Sequence, residues 1–279
     1  GASELEDAWI RAKLGEPGYL AGKDAEVAAC DSMMVPVVTG HADMTVIDKI
    51  IDLVLAAHAP EFVGLRPHLG DALHAVLNGL HVVAKTIGVG MAVAGAGAAN
   101  RIHQLEPRAV VLLGSCGIYP SPLDYRPLDL IVPSRFHLFD ATVASGKADF
   151  PEPMQTVLDP HTMLSAGLAA ASGPRVRRAP VATTLAIHVD DGVARAVQPS
   201  TGIEAENLEL FPIALACLAA NVPFGAVLGV TNVVGSQGRH DWRQYQRDAA
   251  VVAAEAIVTW IQGGAAGLPH AGSVRSLPP

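Results

Sequence analysis

Aromatic residues make up only 5% of these 279 amino acids, and there are just three cysteines. With so few rings, the apolar half of the composition falls to Ala, Val and Leu, which suits a sheet held between Ala-rich helices. Cys30, Cys116 and Cys217 are far apart and odd in number, which excludes a disulfide framework and fits a reduced cytoplasm. No His-x-x-x-His or similar ligand spacing occurs, so neither a metal nor another cofactor is expected. A basic excess is missing too: the net charge of -8 argues against nucleic acid as the partner. No basic segment followed by an apolar stretch opens the chain, so it does not read as secreted. Charge is absent from Leu210 to Gln237, a run long enough for a membrane span. Pro212, Asn221, Pro223 and Asn232 divide it into a helix and a strand of soluble core, so no membrane is expected.

What is present alternates between strand-like and helix-like stretches without repeats. Residues 1–30 are weakly patterned, 31–262 read as one domain, and the Gly/Pro/Ser-rich 263–279 as a flexible tail. Met33–Thr39 resembles a buried strand leading into the turn Gly40-His41-Ala42-Asp43, with an amphipathic helix over Val46–Ala57. His68–Leu80 reads as a helix and His81–Ile87 as a strand. Gly88-Val89-Gly90 opens a small-residue helix reaching Leu105. Such glycines either let backbone approach a ligand or let helix and sheet pack closely. Ala109–Leu113 is a strand running into a turn, Gly114-Ser115-Cys116-Gly117. Asp129–Pro133 and Pro180–Thr184 are further strands, and His161–Ala171 a helix. Leu210–Ala220 is helical, Phe224–Val230 is a strand ending at Thr231-Asn232, and Ala249–Ile261 is a closing helix. The expected architecture is an α/β three-layer sandwich, a central mixed sheet between helices. Polar side chains at strand ends, where such sheets place ligands, make Glu204, Glu206, Glu209 and Asn232 the first site candidates.

Taken in order, four motifs resemble the nucleoside phosphorylase and nucleosidase superfamily. They are Gly88-Val89-Gly90 before an Ala-rich helix, Gly114-Ser115-Cys116-Gly117 with the strand Asp129-Leu-Ile-Val, Glu206-Asn207-Leu208-Glu209, and Thr231-Asn232. The resemblance spans about Met33 to Ile261. It implies that Glu209 accepts from the ribose 2′- and 3′-hydroxyls, that Asn207 belongs to the same ribose motif, and that Leu208 packs beneath the sugar. Gly88 would line the glycine turn, with Ser115 and Gly117 on the ribose and nucleophile side. Asn232 would meet the leaving purine near N7. Ile187 and His188 would form the purine shelf, where the family usually carries an aromatic ring, and Trp242 would border the 5′-substituent. It also implies a homodimer or higher homo-oligomer acting on a small purine nucleoside.

Breaking an N-glycosidic bond requires removing negative charge from the base, holding the ribose and delivering a nucleophile. An Asn at the base donates or accepts a hydrogen bond but cannot serve as a general acid, which favours a 6-oxopurine. Phosphorylases of this kind place Arg before the Gly-Ser turn; Leu112 stands there, and Gly40–Met44 contains no Arg, so water is the expected nucleophile. Hydrolysis then needs a carboxylate base, for which Asp43 is the candidate and Glu206 the fallback. Thr-Asn-Val-Val followed by Arg239 and Trp242 resembles the futalosine hydrolases; the methylthioadenosine/adenosylhomocysteine nucleosidases are the alternative. Each motif has a plainer structural reading. Glu209 fits a helix start, Asn232 a turn cap, Cys116 a packing residue and Trp242 a core ring.

Overall fold

Strand formation in this chain follows its uninterrupted apolar runs, and the deepest of them, Ala109–Leu113, builds the middle of the sheet. The structure is a computed structural model that describes residues 51–269. The expected strand Met33–Thr39 and the candidate base Asp43 lie outside the described residues.

In chain order come β1 (Ile51–Ala56), a 3-10 turn (Ala59–Gly64), α1 (Arg66–Leu69), β2 (His74–Leu77), β3 (Leu80–Thr86) and α2 (Met91–Leu105). Next are β4 (Ala109–Ile118), β5 (Leu130–Leu138), α3 (Ala141–Ala144), β6 (Val157–Leu158), α4 (Thr162–Ala171) and β7 (Val176–Thr183). The remainder is α5 (Asp191–Thr201), β8 (Ala205–Asn207), α6 (Leu210–Ala219), β9 (Phe224–Val233) and α7 (Gly238–Gln262).

The strands form one mixed sheet in the order β2-β3-β1-β4-β8-β7-β5-β6, and β9 pairs with both β4 and β5. β4, β8, β7, β5 and β9 therefore pair in a closed circuit. β1, β3, β4 and β9 are mutually parallel, so their carboxyl ends come together. Alternation along β4 sends Val110, Leu112, Cys116 and Ile118 toward α2 and α6, and Val111 and Leu113 toward α4 and α7. Helices thus cover both faces of the sheet, as the sandwich expectation requires. Each wholly buried Leu or Val contributes about 2 kcal/mol of transfer free energy. At Gly97 a Cβ would lie 2.2 Å from the carbonyl of Ile87, so only glycine lets α2 sit this close to the end of β3.

Several expectations change. The helix expected over Val46–Ala57 is strand β1 in its described part, because Asp52–Ala56 is buried between β3 and β4. The helix expected over His68–Leu80 is one short turn and then β2, paired antiparallel with β3 through the Asn78-Gly79 turn. Gly114–Gly117 is not a turn: β4 continues to Ile118, with a register shift between Cys116 and Gly117. Thr231 and Asn232 lie within β9 rather than beyond it. Residues 191–201 form helix α5 and 205–207 strand β8, neither of which the apolar pattern indicated. α7 begins eleven residues before the expected Ala249. Of the stretch read as a flexible tail, Ala265 is buried and Ala266 accepts the Trp260 indole N–H at 2.9 Å.

Candidate active site

Backbone bonds first assemble the site. Ile87 and Gly88 donate to the carbonyls of Ala56 and Ala57, which ties the end of β3 to the end of β1. Gly88 and Gly90 both have positive φ, 93° and 85°, a bend that glycine adopts without strain. The turn aims the Gly90 N–H at Glu209, whose Oε1 accepts it at 2.9 Å. Glu209 comes from the other side of the sheet edge, where β8 gives way to α6. Asn207 fixes that junction: its Oδ1 accepts from the Glu209 and Leu210 backbone N–H groups, both at 2.8 Å, and its Nδ2 donates to the Ser115 carbonyl at 3.0 Å. Asn207 therefore positions Glu209, and most of its hydrogen-bonding capacity is used within the protein. Leu208 beside it is half-buried.

Glu209 is buried, and burial pushes its carboxyl up to about 7. The charge of Glu61 adds to that rise, while the Gly90 N–H, Asn207 and His58 oppose it. Glu61 itself is buried on the 3-10 turn that follows β1. Its Oε2 lies 3.2 Å from His58 Nδ1 and 3.3 Å from the His58 backbone nitrogen. Burial works against charging His58, but contact with Glu61 and the charges of Glu61 and Glu209 outweigh it, raising the imidazole above its ordinary value. Two carboxylates and a histidine are thus brought close together beyond the end of β1. Glu61 is a carboxylate at the end of β1 that the sequence reading did not single out. Its candidate base, Asp43, follows the expected strand Met33–Thr39, outside the described residues. The available signal was the strand-length run Leu53–Ala57, with Pro60 and a carboxylate just after it.

A second cluster is built in a row. Ala182 of β7 pairs with Glu206 of β8, Glu206 with Gly117 of β4, and Gly117 with Asn232 of β9. Laterally paired residues face the same side of a sheet, so Asn232 and Glu206 share a face, about 10 Å apart across Gly117. A Cβ on Gly117 would lie 2.8 Å from Asn232 Nδ2 and 2.9 Å from Val234 Cγ2, so glycine makes room for the amide. The amide's ends are sorted by its neighbours: Oδ1 accepts from Thr231 Oγ1 at 2.7 Å, and Nδ2 donates to the Val233 carbonyl at 3.0 Å. The other N–H of Asn232 makes no hydrogen bond among the described residues.

Ile187, 39% exposed, and His188, largely buried, follow β7 in the segment 184–190. Glu206, the fallback base, is engaged by Tyr119 and His188. Trp242 is half-exposed on the first turns of α7, close in sequence to Asn232. Ser115 is half-buried on β4, and Cys116 is buried in the core with its thiol pushed up by burial, as a packing residue should be. Leu112 is buried, leaving no cation at that position of β4. A cleft of about 540 Å³, lined by His161, Cys217, Asn221 and Phe224 among others, lies at the opposite end of β9 and includes none of these site residues.

Comparison with known proteins gives a consistent picture. A family model described as the phosphorylase superfamily matches residues 45–261. The 5′-methylthioadenosine/S-adenosylhomocysteine nucleosidase of Colwellia psychrerythraea strain 34H is 24% identical, over 75% of this chain and 94% of that protein. Its crystal structure in complex with adenine superposes with a TM-score of 0.69 at 20% identity, covering 80% of this chain and 98% of that one. A futalosine hydrolase mutant of Helicobacter pylori strain 26695 gives the same TM-score at 12% identity, covering 77% of this chain and 99% of that one.

Proposed function

The chain belongs to the phosphorylase superfamily, and from that premise we propose that it hydrolyses the N-glycosidic bond of a purine nucleoside. The observation that carries this proposal is a pair of chemically different clusters at strand ends, which on this reading face one crevice. Glu61 and Glu209 converge in one, and Asn232 stands in the other with an N–H that makes no hydrogen bond among the described residues. A nucleoside has the matching polarity, with hydroxyls to donate at the sugar and a nitrogen lone pair at the base.

Glu209, ionised, accepts from the ribose hydroxyls, with Leu208, Ser115 and Gly88 bordering the sugar. Glu61 takes the place first given to Asp43: it is the base that removes a proton from the attacking water, with His58 holding it in place. Asn232 donates to N7 as electrons flow into the departing purine. Water rather than phosphate fits a site whose charged groups near the sugar are carboxylates, with Leu112 in place of an arginine. Ile187 and His188 form the shelf beneath the base, and Trp242 borders the 5′-substituent.

Futalosine is the substrate favoured by Asn232, which cannot protonate a poor leaving group, and by the Trp242 ring beside a bulky 5′-group. Methylthioadenosine is the second reading, favoured by the Colwellia relative. The two are separated by supplying futalosine, inosine and methylthioadenosine, each with and without phosphate, and identifying the sugar product. Free sugar from futalosine, at a rate indifferent to phosphate, is expected; a sugar 1-phosphate would make the protein a phosphorylase, and binding without turnover a nucleoside-binding protein. A homo-oligomer belongs to the same proposal. Val89 and Val93 at the start of α2 are exposed beside the site, as are Leu215 and Leu218 on the adjacent α6. Sedimentation of the full chain as a monomer at micromolar concentration would remove it. No described helix is long and apolar enough to cross a membrane.

A further inference from the structure

Glu206 carries a hydrogen-bond arrangement that the hydrolytic chemistry does not use. The residue is 6% exposed, on the face of β8 that looks toward α5. Oε2 accepts from the Tyr119 hydroxyl at 2.8 Å and lies 2.6 Å from His188 Nδ1; Oε1 accepts from the His188 backbone N–H at 3.3 Å. One carboxylate thus grips both the main chain and the ring of the same residue. Tyr119 is wholly buried, and burial together with the charge and hydrogen bond of Glu206 pushes its phenol far above the ordinary value, so it stays protonated and donates. The ring of His188 is further fixed by Phe139, edge-on at 5.8 Å between centroids.

A carboxylate only accepts, so the proton between His188 and Glu206 sits on Nδ1. In the neutral ring that arrangement leaves the lone pair on Nε2. It makes no hydrogen bond among the described residues. The Thr184 hydroxyl, at the start of the same loop, is also buried without a hydrogen-bond partner among the described residues. The loop therefore holds two unused polar groups. It leaves β7 two residues after Ala182, which stands in the row Ala182–Glu206–Gly117–Asn232.

We propose that Glu206 is a positioning residue that pins the loop 184–188 and fixes His188 as its Nδ1–H form, so that Nε2 accepts a hydrogen bond from the base of the bound nucleoside. This proposal rests on the nucleosidase assignment above, but its first half is testable without it. The loop side chains beyond the grip, Leu185 and Ile187, are exposed, so this stretch has little other packing to hold its shape. Glu206 supplies that constraint, and Tyr119 keeps the carboxylate from turning away.

The test begins with nitrogen-15 NMR of histidine-labelled full-length enzyme without substrate, the His188 signals being assigned with His188→Asn. Protonated Nδ1 and unprotonated Nε2 are expected; a proton on Nε2 would overturn the proposal. In Glu206→Gln an amide N–H can face Nδ1, so the proton should move to Nε2. KM should then rise about tenfold while kcat stays within about threefold, the loss of one substrate hydrogen bond. A merely structural role would lower Tm and kcat together and leave the proton on Nδ1, which would contradict the assignment. Should Glu206→Gln fail to fold, Tyr119→Phe decides: it keeps the carboxylate, so His188 must stay Nδ1–H, and a reversed tautomer would refute the role given to Glu206. If no purine nucleoside is bound or turned over, the substrate half falls with the nucleosidase assignment, while the tautomer measurement still judges the rest.

Discussion

The two clusters at the strand ends are stabilised in opposite ways. In the first, His58, Glu61 and Glu209 place ionisable groups together out of water. The Glu209 carboxyl is held near 7, where ordinary carboxylates are fully ionised. In the second, Tyr119, Thr231, Asn232, Glu206 and the Nδ1 edge of His188 are hydrogen-bonded to one another or to backbone. The first cluster stores electrostatic stress; the second is a fixed hydrogen-bond network with a few polar groups left over. Chemistry needs the former, because a base and a hydroxyl acceptor must change their interactions during the reaction; recognition needs the latter.

That contrast can be broken from either side. The largest effect is expected for Glu61→Gln, which removes the proposed base and should lower kcat about a thousandfold with intact folding; a loss below tenfold would remove that role. Glu209→Gln should cost at least tenfold in kcat/KM and also alter the pH dependence of stability. Its folded-state pKa, about 7, lies above the ordinary 4.5, so the folded protein holds this proton more tightly than the unfolded chain. Stability contributed by that proton is complete below about pH 4.5 and is lost as pH rises through 7. Glu209→Gln should therefore be more stable than the parent at pH 8, by up to about 3 kcal/mol, while being less active. Equal stability of the two proteins across pH 5 to about 8 would show that the carboxyl is not perturbed. Asn232→Ala should lower turnover at least tenfold with no such pH signature, since no charge changes. The smallest effect belongs to Gly117→Ala. Its Cβ would press on Asn232 Nδ2 and Val234, so a destabilisation of about 1–3 kcal/mol is expected with a several-fold loss of kcat/KM. Unchanged activity would mean that the amide's position does not matter.

How legible all this was in the sequence differs between the same two clusters. Asn232, Ser115 and Gly117 stand just after long apolar runs, and a run that turns polar marks the carboxyl part of a strand whatever its partners. Glu209 was legible for a similar reason, being the last carboxylate before an uncharged helix. Glu61 was not, because Ile51–Ala56 alternates too little to separate a buried strand from a helix face, and only pairing with β3 and β4 decides it. Strand β8 is three residues long and carries Glu206 and Asn207, both polar; its existence depends on the register of β4 and β7, which no local pattern encodes. The bulge at Cys116/Gly117 likewise made an uninterrupted strand read as a turn. The grip of Glu206 on His188 joins residues 18 apart through a loop and a helix, so only the folded chain reveals it.

The central claim is that one nucleoside spans the crevice with its sugar on Glu209 and its base on Asn232. Its most direct test is kcat/KM for inosine and 2′-deoxyinosine in the parent, Glu209→Gln and Asn232→Ala proteins. A tenfold or greater preference for the ribonucleoside is expected in the parent and in Asn232→Ala, and its disappearance in Glu209→Gln. A preference that survives in Glu209→Gln, or that vanishes in Asn232→Ala, would contradict the account.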